Sequence, residues 1–278
     1  MNTHLKRWLT GIIVVPTLVG MIVYAPPFAF SLIILFFVLI GVHEYNTMSF
    51  KDTHAIEKAE GFIWALMIML AAFAAAAYAE GTGTAGLVAM TATTVTVLFV
   101  TFLLFLFKIR EKPTDLSTVM KVVFGFVYIP FTLAHFVLIR GFTDGVMWVI
   151  YIIVITFASD ISAFYAGRTW GRKKLFPEIS EKKTAAGAIG SIVGTALASF
   201  LYGHFLMQGI FPLHFIALGL MAGILGQLGD LCASTVKRVS MVKESGGMLP
   251  GHGGVLDRLD SFIFIVPFVY YYYTFVVR

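Results

Sequence analysis

Along the chain, long apolar runs alternate with short polar ones, and the polar segments become longer and more charged in the C-terminal half. The apolar runs extend approximately from Trp8 to Tyr24, Phe28 to Val42, Gly61 to Ala79, Gly86 to Phe107, Val122 to Ile139, Val146 to Tyr165, Ala185 to Met207, Phe211 to Leu231 and Ser261 to Val277. Most approach the roughly 20 residues an α-helix needs to cross a bilayer, the second being short. A backbone in lipid must satisfy its own hydrogen bonds, so the pattern predicts an all-α polytopic membrane protein with about nine transmembrane helices. Ala25-Pro26-Pro27 and further apolar sequence follow the first run where a small-residue cleavage site would stand, so that run is expected to remain as a span. Pro16 and Pro130 are expected to kink their spans, and the alanine-rich stretch Ala71 to Ala79 to favour close helix contact.

Composition sharpens this picture. Hydrophobic residues make up 59% of the 278 and charged residues 13%, against about 45–50% and about 25% in soluble domains. The single cysteine, Cys232, excludes an internal disulfide framework and a thiolate zinc cluster. The net charge of +5 reads as topology rather than as nucleic-acid binding. With the N-terminus cytoplasmic, 18 of the 20 lysines and arginines fall on the cytoplasmic side, leaving Arg140 and Arg278 outside. Residues 1–145 are expected to be a scaffold of membrane helices with lipid-facing and dimer surfaces, and residues 146–278 to carry the cytoplasmic catalytic loops. The first part offers little chemistry. His43 and Glu44 close the second run and read as interfacial, solvated residues.

Three polar features change the reading. Asp160 and Asp230 each sit at the cytoplasmic end of an apolar run, where a carboxylate is costly, about 2.5–3.5 kcal/mol at a helix centre, and where the helix dipole does not favour an anion. A purely structural reading gives Asp160 a partner such as Arg168, two turns on; the functional reading places Asp160 in a site. The loop Gly167 to Thr184 holds six cations in eighteen residues; it reads either as a topogenic loop or, with Lys183, Thr184, Gly187 and Gly190 at a helix start, as a phosphate site. The third feature is the segment from Ser234 to Ser261, with five glycines between Gly246 and Gly254, cations Lys237, Arg238, Lys243 and Arg258, and carboxylates Glu244, Asp257 and Asp260. Helix-end carboxylates, a Gly-His-Gly-Gly turn and many cations suggest Mg²⁺-assisted chemistry on a phosphate. His252 suits a general base, a phosphate donor or a turn residue. No P-loop pattern and no nucleophile elbow occur.

The ordered run Lys237-Arg238, Lys243, Leu249-Pro250-Gly251-His252-Gly253-Gly254 and Leu256-Asp257-Arg258-Leu259-Asp260-Ser261 resembles the signature of the phosphatidate cytidylyltransferase (CDP-diacylglycerol synthase) family. The resemblance reaches upstream through Gly229-Asp230-Leu231 and Ser234 to Ser159-Asp160, Gly167-Arg168, Lys183-Thr184 and Gly187. It covers about the last 120 residues by motif and the first half by hydropathy alone. It implies conversion of CTP and phosphatidate to CDP-diacylglycerol and pyrophosphate at the cytoplasmic face of a bacterial inner membrane. It also implies Mg²⁺, with room for a second, monovalent cation, membrane lipid as surroundings, and a homodimer. Asp230 and Asp257 are then the expected metal ligands, with Asp260 and Asp160 as further candidates. Lys237, Arg238, Lys243 and His252 join the two aspartates as catalytic candidates, and Arg168, Lys183, Thr184, Ser234, Gly251, Gly253, Gly254 and Arg258 are substrate-binding candidates.

The sequence departs from the family's pattern at five places. Glu244 stands for an aspartate, Ala233 and Ala186 for acids, Glu181 for a proline and Ser191 for a glycine. Two other readings therefore stay open, an ion-coupled transporter using Asp160 and Asp230, and a family member that binds nucleotide or lipid without turnover.

Overall fold

A computed structural model describes residue 17 and residues 19–50, 54–78, 83–111, 115–247 and 253–278. Among these, eight helices are long and apolar enough to span a membrane, and they follow in order the eight apolar runs from Phe28 onward. Of the first run only residue 17 and residues 19–24 are described, and these are helical; Pro16 lies outside the described residues. The helices are α1 (Pro27–Ser49), α2 (Ala55–Tyr78), α3 (Gly83–Glu111), α4 (Leu116–Phe126), α5 (Thr132–Arg140), α6 (Gly145–Trp170), α7 (Ala185–Leu206), α8 (Pro212–Val239) and α9 (Leu256–Tyr272). Several run well past their apolar stretch. Hydropathy marks where lipid ends, whereas a helix propagates until a cap or breaker stops it.

The chain forms two compact units, one of Met1–Thr143 with Glu244–Leu256 and one of Asp144–Lys243 with Asp257–Arg278. The glycine-dense segment, within Glu244–Leu256, thus belongs to the first unit.

In that unit α2 packs against α1, α3 and α5, and α5 also meets α1 and α3. Ala72 and Ala75 of the alanine-rich stretch are buried, and a Cβ on Gly86 of α3 would lie 3.5 Å from that of Ala75. Pro130 sits in a π-turn, Val127–Phe131, that divides one span into α4 and α5, the local widening expected where a ring displaces a helical hydrogen bond. Thr132 Oγ1 donates to the Tyr128 carbonyl at 2.6 Å inside this turn. Asp115 caps α4, accepting from the hydroxyl and the backbone N–H of Ser117, which holds its carboxyl below the usual carboxylate range. Lys108 of α3 lies between Glu57 (3.2 Å) and Glu60 (2.5 Å) of α2.

In the second unit α7 packs against both α6 and α8. Small residues make this possible: a Cβ on Gly219 would stand 2.6 Å from the Cα of Ala196, and one on Gly223 2.7 Å from the Cα of Ile192. Lipid tails give apolar side chains no reason to prefer each other, so close backbone approach supplies the attraction. Trp148, Tyr151 and Phe215 form a buried aromatic cluster, tied by a Tyr151 to Ser199 hydroxyl bond of 2.6 Å. The loop before α7 holds an antiparallel hairpin, β1 (Lys174–Phe176) and β2 (Ser180–Thr184), which its charge-dominated composition conceals. Gly223→Leu is expected to force α7 and α8 apart and cost about 1–3 kcal/mol, seen as a lower Tm in detergent; an unchanged Tm would show that this contact is not a constraint.

Candidate active site

In the second unit, the C-terminal ends of α6 and α8 and the N-terminal ends of α7 and α9 bear most of the expected site residues. α8 continues two turns beyond the apolar run, so Asp230, Ser234 and Lys237 lie at i, i+4 and i+7 on one helix face. Ser234 Oγ stands 3.5 Å from Asp230 Oδ1.

Two ion pairs join these elements. Lys183, from β2, places Nζ 2.8 Å from Asp230 Oδ2, the lysine 14% and the aspartate 37% exposed. Lys237 pairs with Asp257 in the first turn of α9. Asp160 lies within electrostatic reach of Asp230, Lys183 and Arg258, and Asp260 of Asp230, Asp160 and Lys237. The cations near Asp160 are therefore Lys183 and Arg258, whereas Arg168 is exposed on the last turn of α6. α8 and α9 approach closely here, since a Cβ on Gly229 would come 2.5 Å from the Asp260 carbonyl oxygen. Asp230 is thus grouped with Asp160 and Asp260, while Asp257 is engaged by Lys237. Among the described residues no three His, Cys, Asp or Glu side chains are gathered to hold a metal ion by themselves.

Other candidates have more local roles. The Thr184 hydroxyl caps α7, accepting from Gly187 N–H at 3.1 Å. Cβ atoms on Gly167, Gly171 and Gly187 would all fall within 3.1 Å of it, so these glycines admit a buried hydroxyl. Ser191, where the family pattern has glycine, shares a 2.6 Å hydroxyl bond with Ser159, the neighbour of Asp160. Ala233 is buried. Arg238 reaches the Ile179 carbonyl at 3.4 Å, and Lys243 is exposed. Gly253 has φ +78°, a conformation that favours glycine. Gly251 and His252 lie outside the described residues.

In the first unit, Glu44 overturns the expectation of a solvated interfacial residue. It is 2% exposed and accepts from Ser245 Oγ at 3.0 Å, Val255 N–H at 2.9 Å and Leu256 N–H at 2.8 Å. A Cβ on Gly246 or on Gly254 would stand 2.6 Å from one of its carboxylate oxygens. His43, by contrast, is exposed. The signal was positional: Glu44 falls at i+3 from Gly41 and i+6 from Val38, on the buried face of α1 that also holds Val42 and Tyr45.

Fold and site together define an all-α polytopic membrane protein with paired lysines and aspartates at helix ends. A model of the cytidylyltransferase family matches residues 5–276, and the chain belongs to that family. It is similar to the phosphatidate cytidylyltransferase of Bacillus subtilis, 38% identical over 146 residues, 52% of this chain and 54% of that protein. A phosphatidate cytidylyltransferase of Haemophilus influenzae is 38% identical over 136 residues, 48% of this chain and 47% of its own. An uncharacterized protein of Escherichia coli, YnbB, is 36% identical over 162 residues, 56% and 54% of the two chains. The matches span about half the length of these curated relatives. Lys237→Met should cost about 3 kcal/mol by removing the cation paired with Asp257, and adding Asp257→Asn should cost little more. Additive losses in that double-mutant cycle would show that the two side chains do not depend on each other.

Proposed function

We propose that this protein is a phosphatidate cytidylyltransferase, joining CTP and phosphatidate to give CDP-diacylglycerol and pyrophosphate. The observation that carries this reading is the lysine-aspartate cluster of the second unit, Lys183 with Asp230 and Lys237 with Asp257, in a chain of the cytidylyltransferase family. A phosphate oxygen of phosphatidate attacks the α-phosphorus of CTP, the bond to the β-phosphate oxygen breaks, and pyrophosphate leaves with that electron pair. The lipid brings its own nucleophile, an oxygen already ionised at neutral pH. The protein's part is therefore to position two polyanions and offset their charge. Lys183 and Lys237 are already held in place by carboxylates, so their charge is oriented before substrate arrives. Arg258, in the first turn of α9, adds a third cation.

The carboxylates fit Mg²⁺ by the chemistry of their donors. Asp160, Asp230 and Asp260 offer hard oxygen donors within electrostatic reach of one another; no three of them close on an ion by themselves, and Mg²⁺ commonly takes one or two carboxylates with substrate phosphates and waters completing its shell. When bound there, the ion supplies neutralisation of the triphosphate. The reading also includes a site facing the cytoplasm, from the lysine and arginine distribution, and a homodimer, which light scattering of the detergent complex would check.

Folded protein in detergent, given CTP, phosphatidate and Mg²⁺, should release pyrophosphate and form CDP-diacylglycerol. A folded sample that forms none would leave a ligand-binding family member or an ion-coupled transporter in its place. Asp230→Asn and Asp257→Asn are each expected to lower kcat at least a thousandfold while the protein stays in the membrane. Full turnover in either variant would remove that carboxylate from the site.

A further inference from the structure

Glu44 is a buried carboxylate whose described partners are all hydrogen-bond donors from one short segment of chain. Ser245 lies where that segment begins, and Val255 and Leu256 where it ends at the first residue of α9. One side chain therefore ties together the two ends of a segment that is eleven residues long from Ser245 to Val255. The glycines agree with this. Gly246 and Gly254 are the positions where a Cβ would run into the carboxylate at 2.6 Å, so their lack of a side chain admits Glu44 to the backbone. A helix N-terminus with free N–H groups attracts an anion, and here the anion is supplied by the protein itself.

We infer that Glu44 is a positioning residue, a built-in anion that clamps both ends of the glycine-dense segment and fixes the start of α9. Its carboxylate fills the place at the Val255 and Leu256 amides that a substrate phosphate would otherwise find. Because Leu256 is the first residue of α9, the clamp sets where the turn bearing Asp257 and Arg258 begins. A neutral amide cannot replace it: Glu44→Gln keeps one acceptor and brings an NH₂ group against a donor it cannot accept from.

The test combines amide exchange with kinetics, on full-length protein in detergent. The kinetic arm rests on the proposed cytidylyltransferase reading, and the exchange arm does not. In the unaltered protein the Val255 and Leu256 amides should exchange at least tenfold more slowly than that of Gly247, which is exposed. Rapid exchange there would overturn the clamp without any variant. Glu44→Gln should speed exchange at Val255 and Leu256 at least tenfold, leave α6 unchanged, and lower kcat per folded molecule at least tenfold. Gly254→Ala should reproduce both effects from the opposite side, because its Cβ would fall on the Ser245 hydroxyl and the Glu44 carboxylate together. Exchange that rises equally throughout the protein, or a Glu44→Gln variant with unaltered kcat and KM, would overturn the proposal. If the unaltered enzyme shows no turnover, the functional reading fails and the exchange results still decide the clamp.

Discussion

A charge carried into or beside an apolar slab has to be met by a partner, because water is not there to meet it. The described charged side chains of this protein show three ways of doing so. Lys108 lies between two glutamates within the first unit. Lys183 and Lys237 each take an aspartate in the second. Glu44 has no cation among its described partners and is met by backbone N–H groups and a hydroxyl. The first arrangement lies among the spans of the scaffold, the second holds cations where polyanionic substrates are proposed to bind, and the third organises backbone.

Glycine does two separate jobs under that constraint. At Gly219 and Gly223 it lets two helix backbones touch, which is how helices adhere in lipid. Around Thr184 and around Glu44 it lets a polar side chain reach backbone that a methyl group would shield. In the second case the residues beside the glycines are the ones with chemistry: Asp257 follows the Glu44 clamp by one residue, and Lys183 precedes the Thr184 cap by one. A family signature rich in glycine thus need not be a phosphate cradle throughout. Part of it accommodates the protein's own oxygen atoms.

The spans were legible in the sequence because lipid imposes a length and a composition that few other environments share. Eight described helices follow the apolar runs in order. Asp160, Asp230, Asp257 and the lysines were legible too, as charges where apolar sequence should continue or as parts of an ordered motif. Helix ends were not: α1 and α8 continue through polar residues because nothing there breaks a helix. Nor was the hairpin before α7, whose pairing depends on two short strands meeting. The role of Glu44 is hidden in the sequence because its partners lie about two hundred positions away, and a charge near the end of an apolar run looks solvated until something covers it.

An all-α membrane protein, its order of spans, the membership marked by its C-terminal motif and the side chains that bear charge can all be read from the amino acids alone. Those follow from local chemistry, since hydropathy and residue type are properties of each stretch alone. Which groups meet depends on packing: Asp230 with Lys183 and near Asp160 and Asp260, Asp257 with Lys237, and, within the first unit, the glycine-dense segment with Glu44. A buried charge chooses its partner through distance and the lack of water, and both are set only when the helices have packed.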